Sequence, residues 1–163
     1  MTFTVWVTGA DADAVRAIAA DIGRGLAARR IPAEVLDHVT CGVDAVDARV
    51  ERLVGFAAAA LARHGVATVV ALRADARSVR ERARVAIPRM IEVWVRGGAA
   101  PGYEAPERAE VEVTHPEPRR GAATDRTLHT LEVLGLLPRR TAESYSDEEE
   151  RQVIRRLKAF GYL

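Results

Sequence analysis

The stretch V-W-V-T-G-A-D-A-D-A-V-R, from Val5 to Arg16, decides how this chain folds. Its opening residues are β-branched or aromatic, which favours a strand, and Gly9 then allows a tight turn. Beyond the turn, apolar Val15, Ile18 and Ile22 recur at helical spacing. A short apolar strand that turns at a glycine into a long helix is typical of an α/β domain.

The same stretch has the layout of a phosphate-binding loop without the residues that bind phosphate. In the motif G-x-x-x-x-G-K-[ST], backbone N–H groups cradle the phosphate, the Lys reaches it and the Ser or Thr holds magnesium. Gly9 is present, but the three later motif positions are Ala14, Val15 and Arg16. The pattern that makes the fold is kept, while the residues that carry the chemistry are absent.

Two acidic residues, Asp11 and Asp13, stand at the predicted start of the first helix. A like charge about 4 Å from a phosphate costs about 4 kcal/mol at an effective dielectric constant near 20. Asp is also a favourable N-cap, since its carboxylate accepts from the backbone N–H groups that a phosphate would otherwise use. The sequence therefore predicts that this site is filled from within and that Val15 belongs to the core.

Strand and helix patterns alternate along the rest of the chain. Strands are predicted over residues 3–8, 33–36, 67–72, 90–95 and 110–113, and helices over about 13–29, 46–61 and 76–86. Farther on, Thr124 is predicted to cap one helix, and Ser146 with Glu149 to cap the last. This order predicts a three-layer α/β/α domain with a parallel sheet of about five strands over residues 1–122. Residues 123–163 form a helical C-terminal extension.

The composition is that of an ordinary globular domain. A net charge of +1 at pH 7 indicates no general affinity for nucleic acid or anionic membranes. No stretch approaches the roughly 18 apolar residues of a membrane span, and the first residues do not resemble a signal peptide, so we expect a cytoplasmic protein. Cys41 is the single cysteine, and His115 and His129 lack partners at ligand spacing, so no metal site is expected.

Several segments in the same order resemble adenylylsulfate kinase. They are Val5–Gly9, Val35–Asp37, Val69–Leu72, Arg80–Arg84, Met90–Val95 and Pro101–Glu107. In that family these positions read V-W-F-T-G, V-L-D-G-D-N, V-A-F-I-S-P-Y-R followed by R-x-x-A-R, F-I-E-V-x-V and P-Y-E-x-P-x-x-P. The match is collinear from about Val5 to Val113. The resemblance implies a P-loop kinase fold and, in an active member, ATP with Mg²⁺ and adenylylsulfate as substrates.

The departures from the family pattern fall on the residues that carry the chemistry. The family's D-G-D-N segment reads D-H-V-T here, from Asp37 to Thr40. It lacks the second Asp, which the resemblance implies would act on the substrate hydroxyl. The long basic lid after the fourth strand is reduced to residues 96–100. Arg77 stands where the family has the arginine of P-Y-R.

Two sets of candidate site residues follow from these comparisons. The candidates for binding a nucleotide or an inorganic anion are Gly9, Arg16, Arg77 and Arg80. A solvated basic helix face is the alternative for the last two arginines. No residue is assigned as catalytic in the first hypothesis below. If the chain is an enzyme, Asp37 or His38 is the candidate base, because both follow a strand at the sheet edge where α/β proteins bind ligands.

The first functional hypothesis is a pseudoenzyme: a catalytically degenerate relative of adenylylsulfate kinase without a cofactor. Its role would be binding, regulation or assembly, linked to sulfate activation or transfer. The alternative is an unusual active kinase or nucleotide-binding enzyme that uses ATP with Mg²⁺ on adenylylsulfate or a related small molecule. The expected partners are an adenine nucleotide or sulfonucleotide, and a second copy or another protein docked through the C-terminal helices. A purely structural subunit would bind no small molecule.

Overall fold

A computed structural model of the chain describes residues 2–42, 47–138 and 147–162. The strands in these residues are β1 (Thr4–Gly9), β2 (Ala33–Leu36), β3 (Ala67–Ala71), β4 (Met90–Arg96) and β5 (Val111–Thr114). The helices are α1 (Ala12–Ala28), α2 (Ala48–Arg63), α3 (Arg77–Ala86), α4 (Ala122–Val133) and α5 (Asp147–Ala159). The predicted capping box at Ser146 lies outside the described residues.

The strands form one parallel sheet in the order β2-β3-β1-β4-β5. β1 lies at the centre, where Val5 pairs with Val69 of β3 on one side and with Ile91 of β4 on the other. Every residue of β1 is buried, as expected for a strand with neighbours on both edges and helices on both faces. The predicted parallel three-layer α/β/α fold is confirmed.

Successive side chains of β1 enter two separate cores, because side chains alternate across a strand. Val5 and Val7 pack with residues of α1 and α4 on one face of the sheet. Trp6 points to the opposite face and packs with residues of α2 and α3. The two clusters make the outer layers of the fold and leave the carboxyl ends of the strands at one open edge.

The predicted cap of α4 at Thr124 is wrong. The helix begins at Ala122, and Gly121 precedes it with a φ of 83°, in the left-handed region that favours glycine. The carboxylate of Glu117 accepts hydrogen bonds from the backbone N–H groups of Gly121 and Ala123, at 2.6 and 3.2 Å. A side chain from the preceding loop therefore provides the cap, and Thr124 lies inside the helix.

The described C-terminal helices pack on the same chain. Leu131 of α4 and Leu157 of α5 have no exposed surface. Arg156 of α5 also forms an ion pair with Glu112 of β5, which ties the helix to the last strand of the sheet. No helix in the described ranges has both the length and the apolar character needed to cross a membrane.

Replacement of Gly9 by alanine should destabilise the fold. A Cβ atom at Gly9 would lie 2.7 Å from the carbonyl oxygen of Val95, so the paired ends of β1 and β4 would have to move apart. We expect a loss of about 1–3 kcal/mol in the free energy of unfolding, measured by urea denaturation.

Gly55, in the middle of α2, provides the matched control. No heavy atom lies within 4 Å of a Cβ placed there. Gly55→Ala should therefore raise the free energy of unfolding by about 0.5–1 kcal/mol, through helix propensity and lower entropy of the unfolded chain. Equal stability of the two variants would contradict the close approach of Gly9 to β4.

Candidate functional site

The start of α1 is capped by its own chain. Oδ1 of Asp11 accepts hydrogen bonds from the backbone N–H groups of Asp13 and Ala14, at 2.9 and 3.0 Å. Asp13 does not cap the helix; its carboxylate instead pairs with Arg16 at 3.1 Å on the surface. Val15 is only 1% exposed and belongs to the core. The predicted internal cap at Asp11 and the core role of Val15 are confirmed.

The segment after β4 passes against this capped helix start. Gly97 and Gly98 have φ values of 117° and 70°, which L side chains rarely adopt. A Cβ placed on Gly98 would lie 3.3 Å from Cβ of Asp11. The short glycine segment therefore lies against Asp11, whose carboxylate accepts from the helix N–H groups.

A cleft of about 140 Å³ opens beside the helix start. Its lining comes from α1, the segment after β2, α2 and the end of β3. It consists of Ala12, Val15, Arg16, His38, Glu51, Ala71, Leu72, Arg73 and Asp75. The cleft lies at the carboxyl edge of the parallel sheet, where open α/β folds bind ligands. It brings together two of the predicted candidates, Arg16 and His38.

The sequence interpretation missed three charged residues of the cleft, Glu51, Arg73 and Asp75. Arg73 and Asp75 form a two-point ion pair, with nitrogen-to-oxygen distances of 2.5 and 2.6 Å. Their position just after β3 was a usable signal, because that is the ligand-binding edge of the sheet. Burial, and then the nearby charge of Asp75, raises the pKa of the Glu51 carboxyl.

Asp37 lies near the cleft but closes a local turn. Its Oδ1 accepts from the backbone N–H of Thr40 at 2.5 Å, and the Thr40 hydroxyl lies 2.9 Å from the backbone nitrogen of Asp37. This reciprocal pair is a common way for Asp to stabilise a turn. Of the two candidate bases, His38 is the one that lines the cleft.

Arg77 begins α3 and is bound by the turn at residues 101–107. Its backbone N–H donates to the carboxylate of Glu104 at 2.8 Å, which caps the helix from a distant loop. Its guanidinium donates to the carbonyl of Ala105 at 3.3 Å and forms an ion pair with Glu107. Arg77 is therefore engaged by protein groups and is not among the residues that line the cleft.

Arg80 is buried, with 2% of its surface exposed. Its Nε lies 2.8 Å from a carboxylate oxygen of Glu92 on β4. The other guanidinium nitrogens donate to the backbone carbonyls of Ala74 and Glu104, and the group lies over the ring of Tyr103. The anion-binding role predicted for Arg77 and Arg80 stays a prediction, and in this structure both arginines have acceptors within the protein.

The ion-pair cluster continues to the C-terminal residues. Arg84 lies 3.2 Å from Glu92 and 2.6 Å from Glu110, and the hydroxyl of Tyr162 donates to Glu110 at 2.5 Å. Burial and this hydrogen bond raise the pKa of Tyr162 to about 12. Burial also raises the pKa of Glu92, against the pull of the Arg80 and Arg84 charges. The cluster joins α3, β4 and the end of the chain.

The described residues contain no group of three or more His, Cys, Asp or Glu side chains arranged to hold a metal ion. Any ligand of the cleft would meet arginine, histidine and carboxylate groups.

Taken together, the central β1 strand, the glycine turn into α1 and the cleft at the carboxyl edge define a protein of the P-loop kinase fold class. The chain is 34% identical over 127 residues to adenylyl-sulfate kinase from a Synechococcus strain, and the match covers 72% of this chain and 70% of that protein. The chain therefore belongs to the adenylyl-sulfate kinase family.

A longer protein is also similar in sequence, and a solved structure shares the fold. A probable bifunctional SAT/APS kinase 2 of Sorangium cellulosum is 27% identical over 176 residues; the match covers 86% of this chain but only 30% of that protein. The Mycobacterium tuberculosis APS kinase CysC, solved in complex with AMPPNP and APS, has a TM-score of 0.64 at 19% identity, covering 82% of this chain and 98% of that one. No protein-family model matches the chain.

Loss of the Glu92 charge should strongly destabilise the protein, because it would leave the buried Arg80 without its carboxylate partner. We expect Glu92→Gln to lower the free energy of unfolding by about 3–5 kcal/mol. Glu81→Gln makes the same chemical change at an exposed position on α3, and should change stability by less than about 0.5 kcal/mol. Urea denaturation of both variants tests this, and a Glu92→Gln protein as stable as Glu81→Gln would contradict it.

Proposed function

We propose that this chain is a catalytically degenerate member of the adenylyl-sulfate kinase family, which binds an adenine nucleotide or sulfonucleotide without transferring phosphate. Its role is regulatory or assembly-related, linked to sulfate activation or transfer. The observation that carries the proposal is the Asp11 carboxylate, which accepts from the Asp13 and Ala14 N–H groups at the start of α1.

The residues present do not fit Mg²⁺-ATP at this position. The position of the motif Lys is taken by the buried Val15. The position of the motif Ser or Thr is taken by Arg16, which pairs with Asp13. A triphosphate would have to displace the Asp11 carboxylate from the helix N–H groups and would still lie close to its charge. Such a contact at about 4 Å costs about 4 kcal/mol at an effective dielectric constant near 20.

The neighbouring cleft supports retained ligand binding. It contains Arg16 and His38, whose side chains suit the anionic group of a nucleotide or sulfonucleotide. The ligand class is suggested by the M. tuberculosis relative, which was solved with AMPPNP and APS. In this proposal the anionic group lies in the cleft, and no phosphate occupies the start of α1.

Ligand-dependent thermal unfolding combined with a turnover assay tests the proposal. Adenylylsulfate at 100 times its dissociation constant should stabilise the protein by about 2.7 kcal/mol, visible as a raised melting temperature. ATP with Mg²⁺ should have little effect, and no 3'-phosphorylated product should form. Magnesium-dependent turnover of ATP with adenylylsulfate would show that the proposal is wrong.

Removal of the internal cap should restore anion binding at the helix start. Asp11→Ala frees two backbone N–H groups and removes one negative charge, so inorganic pyrophosphate should stabilise this variant but not the wild type. Without ligand, the variant should lose about 1 kcal/mol of stability. Asp13→Ala is the control, because it changes a nearby carboxylate and leaves the Asp11 cap in place. Equal responses of the two variants to pyrophosphate would contradict the blocking role of Asp11.

The alternative, an active enzyme of unusual mechanism, is favoured by one observation: Arg16 and His38 line the same cleft. In that case Arg16 would neutralise the transferred group and His38 would act as the base. Separate Arg16→Gln and His38→Asn variants would then each lose turnover, whereas a binding protein has no turnover to lose.

Docking of a second copy or another protein through the C-terminal helices stays a prediction. The described part of α5 buries Val153 and Leu157 against its own chain, so such a partner would meet the remaining, mostly charged face. Size-exclusion chromatography with light scattering, on the full chain, measures whether a dimer forms.

A further inference from the structure

Glu51 stands apart from the other charged residues around the cleft. It lies in the first turn of α2 and lines the cleft together with Asp75. Burial and the Asp75 charge oppose its ionised form and raise its pKa, while the backbone N–H of Asp75 and the charges of Arg80 and Arg73 favour that form. Among the described residues it forms no ion pair, and Arg73 and Arg80 pair with Asp75 and Glu92 instead.

This arrangement places a carboxylate that has no ion-pair partner among the described residues at the wall of a cleft that Arg16 and His38 also line. Burial and the Asp75 charge already oppose ionisation of Glu51, while the more distant Arg80 and Arg73 charges favour it. A second anion in the cleft would add further repulsion. Protonation of Glu51 removes that repulsion, so an anionic ligand and a proton should bind together.

We propose that Glu51 is a specificity-determining residue of the cleft, which opposes doubly charged ligands such as phosphate monoesters and phosphosulfate anhydrides unless its carboxylate takes up a proton. The proposal rests on the proposed function, in which the cleft holds the anionic part of the ligand. It gives a direction for pH: capture of an anionic ligand is stronger in mild acid and weaker in mild alkali.

The contribution of His38 to the pH dependence must be distinguished from that of Glu51, because protonation of a histidine in acid would also strengthen anion binding. The remaining charges around Glu51 come from Arg16, Arg73, Asp75 and Arg80. The arginines keep their charge throughout the accessible pH range, and Asp75 forms an ion pair with Arg73. Variants of Glu51 and His38 separate the contributions of these two side chains.

The test is isothermal titration of adenylylsulfate into wild type, Glu51→Gln, Glu81→Gln and His38→Asn. Glutamine keeps the size and the polar character of the side chain and removes only the charge. At about pH 7.5, Glu51→Gln should bind the ligand roughly five to ten times more tightly than wild type, as expected for removal of a like charge several ångströms away in a wet cleft. Glu81→Gln should match the wild type.

The pH dependence gives the second measurement. Between about pH 7.5 and about pH 5.5, wild-type affinity should rise. Glu51→Gln should lose the part of that rise due to Glu51, and His38→Asn should keep it. Titrations in two buffers of different ionisation enthalpy should show proton uptake on binding to the wild type and less uptake in Glu51→Gln. The buffer comparison on wild type and His38→Asn remains decisive if Glu51→Gln fails to fold.

The outcomes separate the two proposals. If adenylylsulfate binds wild type and Glu51→Gln with the same affinity at both pH values, the role of Glu51 is overturned and ligand binding by the cleft stands. If adenylylsulfate binds none of the variants at either pH, the proposed function and the role of Glu51 are both overturned.

Discussion

The burial of β1 at the centre of the sheet is the constraint on which the rest of this structure depends. In a strand without exposed surface, an unpaired polar group is unfavourable, and most such groups find partners. Thr4 does so through a 2.8 Å hydrogen bond to the Thr68 hydroxyl on β3. Thr8 bonds to the carbonyl of Arg73 at 2.5 Å and lies 3.2 Å from the Tyr103 hydroxyl. The end of β1 thereby contacts both the segment after β3, which lines the cleft, and the turn at residues 101–107.

The same requirement explains why Arg80 and Arg84, whose helical spacing suggests an anion-binding face, bind acceptors of the protein itself. A buried guanidinium without partners is strongly unfavourable. Arg80 therefore has Glu92 and two carbonyl groups around it, and Arg84 has Glu92 and Glu110. These contacts hold α3 against β4, and the bond from Arg80 to the Ala74 carbonyl ties α3 to the segment after β3. The charge available to a ligand is reduced to the residues that remain on the cleft wall, Arg16 among them.

The sequence was sufficient wherever the deciding interaction was local. The strands and the cap at Asp11 follow from short patterns whose partners lie within a few residues, and the parallel arrangement follows from the alternation of strands with helices along the chain. It was insufficient where the partner came from another element. Thr124 was predicted as the cap of α4, whereas the carboxylate of Glu117 caps it. Sequence spacing alone does not assign Glu117 to that helix start. Glu51 gave no signal, because its place in the cleft depends on how α2 packs beside the loop after β3.

The internal cap at Asp11 also indicates how such a fold could persist without its nucleotide. A phosphate-binding loop leaves the N–H groups at its helix start unsatisfied until the ligand arrives. Here the Asp11 carboxylate satisfies two of them permanently, an interaction typically worth about 1 kcal/mol. The ligand-free fold is stabilised by that amount, and a phosphate at the same position loses the advantage it would have had. On the proposed function, the fold and a nucleotide phosphate compete for the same N–H groups. In this chain the Asp11 carboxylate binds them.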